Sequence, residues 1–150
     1  TASGAVARAD TEEETLRIQR LWITLVAAVA VACASAPLPP TAPVTDVAVL
    51  AGTYSGTTET VGMGSRATRV VVYPTGDFDI AVAAPDGFRR LGKITIADTG
   101  AVRYHYDEVT STGKVEWNGG VTFHEGGGRR VLVLTRDGGD MTTTVSRTAP

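Results

Sequence analysis

Val102-Arg103-Tyr104-His105-Tyr106-Asp107 alternates apolar and polar side chains, and after Ser111-Thr112-Gly113 the pattern resumes in Val115-Glu116-Trp117-Asn118. Period two over so short a run marks a strand with one face in a core and the other in water. With Ser111-Thr112 as a two-residue turn, Tyr106 stands opposite Trp117 on the inner face. His105 then stands opposite Asn118 on the outer face. The same alternation runs outward along the chain. Phe78, Ile80 and Val82 interleave with Asp79, Ala81 and Ala83, and Ile94 and Ile96 with Lys93 and Thr95.

Turn signals separate these runs: Pro74-Thr75-Gly76, Pro85-Asp86-Gly87, Asp98-Thr99-Gly100, Asn118-Gly119-Gly120, Gly126-Gly127-Gly128 and Asp137-Gly138-Gly139. Glycine supplies positive φ, and Pro or Asp pre-sets a turn. The punctuation predicts seven or eight strands, at about 52–60, 67–73, 77–83, 88–97, 101–109, 114–124, 129–136 and 140–147. Gly119-Gly120 is expected to kink or bulge the sixth. No segment after Pro43 looks like a crossover helix, so the pairing is antiparallel. The fold class is therefore all-β, an up-and-down meander that closes into a small barrel, with a β-sandwich as the alternative. Tyr54, Tyr73, Phe78, Phe88, Tyr104, Tyr106, Trp117 and Phe123 are its candidate core aromatics, and in a barrel some of them line a ligand cavity.

Composition narrows the function classes. The chain has 150 residues, 43% of them hydrophobic and 20% charged, with a net charge of −2. That length suits one folded domain. No basic field points to nucleic acid. The single Cys excludes an internal disulfide and a multi-cysteine zinc site.

The N-terminal third reads as an address. Residues 21–32 are apolar but for Thr24, with Arg17 and Arg20 just before them and Cys33 just after. The run is too short to span a bilayer comfortably, which takes about 20 residues. It has the length of a signal-peptide apolar region. Thr11-x-x-Glu14 has the form of a capping box that starts a signal helix. Asp10 and Glu12 to Glu14 make the preceding segment acidic, and no Met stands at position 1, so the native start is expected either upstream or near Leu16.

Ala30-Val31-Ala32-Cys33 resembles the lipobox of bacterial lipoprotein signal peptides, although Leu is commoner where Ala30 stands. The resemblance implies cleavage before Cys33, a diacylglycerol on its thiol and acylation of the new amine. The chain would then sit in a bacterial cell envelope, anchored by lipid to a membrane on its non-cytoplasmic side. Ordinary secretory cleavage nearby and an uncleaved anchor are the alternatives. The chain thus divides into a targeting segment at 1–33, a Pro-rich linker at 34–48 and one β domain at 49–148.

Candidate chemistry after the signal is sparse. Ile96-Ala97-Asp98-Thr99-Gly100-Ala101 resembles the Asp-Thr-Gly-Ala signature of retropepsin-like aspartic proteases, which implies a homodimer with Asp98 as its catalytic carboxylate. With one copy and no later aliphatic-aliphatic-Gly strand, the segment also reads as a hairpin turn. Gly62-Met63-Gly64-Ser65-Arg66-Ala67 has the form of a dinucleotide-binding loop, but a strand follows where that fingerprint needs a helix. His105, Asp107, Glu108, Glu116, His124 and Glu125 are the one set rich in metal-type ligands, without a spacing that specifies a metal. His105, Asp107, Tyr104, Tyr106 and Trp117 are the candidate ligand residues. Arg89-Arg90 and Arg129-Arg130 flank turns, where they meet an anionic partner or pair locally, Arg129 with Glu125. The expected function is a non-catalytic envelope lipoprotein binding a protein, glycan or small apolar ligand, with no cofactor and no nucleic acid. A secreted hydrolase acting through Asp98 and an untethered binding module or inhibitor are the alternatives.

Overall fold

The computed structural model describes residues 37–85, 87–110 and 113–148. The targeting segment with Cys33, the turn residues Ser111 and Thr112, and Asp86 lie outside the described residues. Eight strands follow one another: β1 (Gly52–Thr60), β2 (Gly64–Val72), β3 (Asp77–Val82), β4 (Arg89–Ile96), β5 (Val102–Thr110), β6 (Gly113–Gly126), β7 (Arg129–Arg136) and β8 (Met141–Thr148). Each pairs antiparallel with the next, and β8 returns to β1, so the sheet closes into a barrel and the sandwich is not formed. Residues before and after each short connection face each other in register. Gly126 stands opposite Arg129, for example, across a turn in which Gly127 and Gly128 both have positive φ, as the favoured two-residue hairpins require.

Alternation decides what faces inward. Tyr54 and Thr58 of β1, Thr68, Val70 and Val72 of β2, and Phe78, Ile80 and Val82 of β3 are buried. Ile94, Tyr104, Tyr106, Val121, Phe123, Leu132, Leu134 and Val145 complete the interior around the remaining strands. Tyr73 is the exception among the candidate core aromatics: it ends 48% exposed, just beyond β2.

Gly119-Gly120 does not bulge β6. Its register is unbroken on both sides, with Tyr104 opposite Gly119 on β5 and Arg136 opposite Gly119 on β7. Here the glycine provides space. A Cβ on Gly119 would lie 2.4 Å from the Tyr104 ring and 2.3 Å from the Thr135 carbonyl. Gly92 plays the same part for Phe78, whose ring would come within 2.6 Å of an added Cβ.

One end of the barrel is plugged. Pro39 to Ala42 run along β6 past the point where β5 begins. The Ala42 N–H donates to the Phe123 carbonyl (2.8 Å) and the Glu125 N–H to the Pro40 carbonyl (3.1 Å). His124 Nδ1 holds the same strap through the Pro39 carbonyl (2.9 Å). These bonds cover a stretch of β6 that would otherwise be an open edge. A short 3-10 helix, Val47–Leu50, follows, capped by Asp46, whose side chain accepts from the Ala48 N–H (2.9 Å). Leu50 is fully buried, and the Tyr54 hydroxyl donates to its carbonyl (2.8 Å). Val47 lies beside Gly76 in the β2–β3 turn, which places the plug at the end where β2–β3, β4–β5 and β6–β7 connect.

Gly119→Ala and Gly120→Ala separate space from flexibility. The first should lower unfolding free energy by about 1–3 kcal/mol, the range for forcing extra volume into a packed interior. The second meets nothing within 4 Å and should stay within about 0.5 kcal/mol. Urea melts of the two variants check this, and equal effects would remove the space argument.

Candidate functional site

The opposite end, where β1–β2, β3–β4, β5–β6 and β7–β8 connect, is open. A cavity of about 370 Å³ lies there, lined by inward positions of the strands and by residues of the loops above them. Its aromatic wall belongs to a ladder that climbs from the core. Phe78 meets Tyr104 edge to face with ring centres 6.0 Å apart, and Tyr104 stacks on Tyr106 at 6.1 Å. Tyr106 then meets Trp117 at 6.4 Å, and the two stand opposite in the β5–β6 register. Phe88 closes the β3–β4 side, and Met63 and Met141 add apolar surface. Below them the Thr58 hydroxyl lies 2.7 Å from that of Thr143 and accepts from that of Thr68 (2.8 Å). Hydroxyls from three strands thus satisfy one another in the interior.

Charged side chains crown the ladder. Glu108 takes one step beyond Tyr106 on the inward face of β5. One of its oxygens pairs with Arg90 of β4, and the other accepts from the Trp117 indole N–H (3.0 Å). Arg136, inward on β7, lays its guanidinium over the Trp117 ring at 4.3 Å and pairs with Asp140 in the β7–β8 connection. Arg66 of β2 donates to the carbonyls of Pro85 (3.0 Å) and Met63 (3.5 Å), joining two loops at the rim. Among the described residues, three arginines and the Glu108 carboxylate therefore line the cavity around its aromatic wall.

Burial shapes the tyrosines. It pushes the Tyr104 hydroxyl up to about 12, with the neighbouring Tyr106 adding to the effect. It also raises Tyr106, an effect that the Arg136 charge partly offsets. Among the described residues no group reaches the Tyr104 hydroxyl, although the side chain is buried.

The sequence candidates separate into two groups. Tyr104, Tyr106 and Trp117 come together in the barrel interior, and Tyr106 and Trp117 line the cavity. His105 and Asp107 face the outside, where His105 meets Asn118 (3.0 Å) and Asp107 (3.2 Å). Lys114 hydrogen-bonds Asp107 (2.8 Å) and holds its carboxyl below the usual carboxylate range. His124 is engaged with the Pro39 strap, and among the described residues no three such side chains converge to hold a metal. Asp98 is exposed in the β4–β5 turn, at the plugged end, where the Ala97 and Ala101 backbones are hydrogen-bonded. The arginine pairs split across the sheet. Arg89 binds Asp79 outside while Arg90 turns inward, and Glu125 pairs with Arg130 in place of Arg129 because those two stand in register.

Arg66, Arg90, Glu108 and Arg136 were missed as a group. Their signal was present in the alternation: Glu108 is in phase with Tyr104 and Tyr106, and Arg136 with Leu132 and Leu134. A charge in phase with apolar residues near a strand end marks the rim of an interior. A larger hollow of about 510 Å³ beside the β1–β2 turn is lined mainly by turn residues with Glu59 and Thr142, and has no aromatic wall. Comparison of the chain with protein-family models, with curated proteins and with solved structures gives no match.

Tyr104→Phe should be neutral at pH 7 or stabilising by up to about 1 kcal/mol, since it removes a buried hydroxyl without a partner. Its larger effect should come in alkali. The unfolded tyrosine ionises near 10 and the folded one near 12. The wild-type protein therefore keeps this contribution below pH 10 and loses about 2–3 kcal/mol of it as pH rises from 10 to 12. The phenylalanine variant should lose that much less in urea melts across this window. Parallel pH profiles for the two proteins would contradict the assignment.

Proposed function

We propose that this chain is a lipid-anchored bacterial envelope protein whose barrel binds one small ligand with an apolar or aromatic body in the cavity at its open end. One observation carries the binding reading. The barrel is plugged by Leu50 at one end and hollow at the other, and the hollow is walled by Tyr106, Trp117 and Phe88. A barrel of eight strands has an interior just wide enough either to be filled by side chains or to hold one small ligand. Here both occur, in different halves. The cavity is at the lower end of the size range of small-molecule sites, which suits a body of one or two rings or a short chain.

The anchoring reading rests on the lipobox resemblance at Cys33. Several acyl chains at about 0.8 kcal/mol per buried CH₂ hold a protein firmly on a membrane. Pro39 and Pro40 lie beside Gly126 at the plugged end.

Two measurements test the parts separately. Full-length protein made in a bacterial host should incorporate labelled palmitate, and Cys33→Ser should abolish the label. Mature protein beginning at Ser35 or later, with no lipid mass, would end the anchoring reading. For binding, the neutral probe N-phenyl-1-naphthylamine should bind saturably at one site per chain, and Trp117→Ala should weaken it by about ten-fold. Absence of saturable binding would remove the cavity from consideration as a ligand site.

A further inference from the structure

We propose that the edge of β6 from Lys114 to Glu116 pairs with the same edge of a second copy of this chain, about a two-fold axis at Val115. The contact uses neither the cavity nor the lipid anchor. β6 is the longest strand, Gly113–Gly126, and it outruns both neighbours. β5 pairs with it only up to Gly120, and β7 only from Gly119 onward. Two stretches of edge are left over, on opposite sides of the strand. On the first the chain lays its own Pro39 to Ala42, bonded to Phe123 and Glu125. Among the described residues no backbone group bonds to the second, Lys114 to Glu116, on its β7 side.

Bonds already made fix which backbone groups face the open side. Successive residues of an antiparallel strand turn their N–H and C=O groups to alternate sides. Asn118 turns its carbonyl to the β7 side, where it accepts from the Asp137 N–H (2.9 Å). Phe123 and Glu125 bond on the other side, to the strap. Lys114 and Glu116 are in phase with Asn118. Each therefore presents an N–H and a C=O outward, beyond the point where β7 ends. An exposed row of this kind is a template for another strand.

The edge is complementary to itself, which selects a second copy as the occupant. In an antiparallel pair centred on Val115, Lys114 stands opposite Glu116 of the second copy, and Glu116 opposite its Lys114. Both positions present their backbone groups outward, so each pair exchanges two N–H···O=C bonds. The two side chains are 56% and 63% exposed. Lys114 bonds Asp107 of its own chain at 2.8 Å. An ammonium has three donors, so it keeps Asp107 and still meets the carboxylate across the axis. Residues 109–113 carry no charge, so these two residues decide the register. A slip of two residues, the smallest that keeps outward groups facing, sets Lys114 on Lys114 or Glu116 on Glu116. Like charges directly opposite oppose either slip.

The test uses the full-length chain in detergent with Cys33→Ser, which leaves an introduced thiol as the only one. Val115 faces its own copy across the axis in a non-hydrogen-bonded pair. Cα atoms of such a pair lie about 4.5 Å apart, which a disulfide spans. Under oxidised glutathione, Val115→Cys should link into dimers at least about ten-fold faster than Thr99→Cys in the exposed β4–β5 turn. Added to Val115→Cys, Lys114→Glu or Glu116→Lys should each slow linking about ten-fold, because each sets like charges at both flanking pairs. The two changes together should restore the rate. Sedimentation equilibrium of the same charge variants without the added thiol should show the same order, and it decides the matter if Val115→Cys does not fold. Equal linking at 115 and 99, or a chain that stays monomeric up to about 1 mM, would overturn the pairing. A dimer unmoved by either single charge change uses another surface, and would overturn it too. Single changes that weaken the dimer without rescue by the double would overturn the register.

Discussion

The seam between β1 and β8 holds the barrel closed, and the interior exists because of it. Residues Ser55 to Thr60 pair with Met141 to Ser146 across that seam. At its centre Thr58 and Thr143 stand opposite each other, both buried, their hydroxyls 2.7 Å apart and joined by Thr68 from the other side. An open meander would carry two unpaired edges and a half-exposed apolar face. Closure removes both at once and limits the interior to what eight strands can enclose. Every inward side chain must then fill the space, bond to another, or bound a hollow. The threonines bond, the aliphatic residues fill, and Tyr106 and Trp117 bound.

The two ends of the barrel solve the same problem differently. At one end the chain supplies its own stopper. Prolines without N–H donors run along β6, offering the carbonyl of Pro40 and the N–H of Ala42 to a strand segment lacking a neighbour. The 3-10 helix then lowers Leu50 into the opening. At the other end the inward positions turn charged, and a cavity lies among them. Arg90, Glu108, Trp117, Arg136 and Asp140 form a chain of ion pairs, a hydrogen bond and a ring contact around the rim. Because these side chains project mostly from paired strands, the site is held by the same hydrogen bonds that hold the fold. Side chains held this way are ordered in advance.

Much of this was legible in the chain itself. Eight strand positions, their antiparallel order and the facing of Tyr106 and Trp117 follow from alternation and turn residues. Both are local properties, set by a two-residue period and by the φ values that glycine, proline and aspartate favour. Alternation also placed His105 and Asp107 outside. What the chain alone did not disclose depends on neighbours distant in sequence. Gly119-Gly120 has the composition of a bulge, yet Gly119 is small because the Tyr104 ring needs its space. Pro39 and Pro40 have the composition of a free spacer, yet they lie on β6. The rim charges could be seen to share the inward phase, but nothing local says that Arg90 reaches Glu108, or that Arg136 lies on Trp117. The pairing of Thr58 with Thr143 spans 85 positions, and only closure of the sheet brings them together. Sequence by itself determined which residues face inward; the tertiary structure decided which of them meet, because contacts across a barrel depend on its circumference and not on the spacing along any one strand.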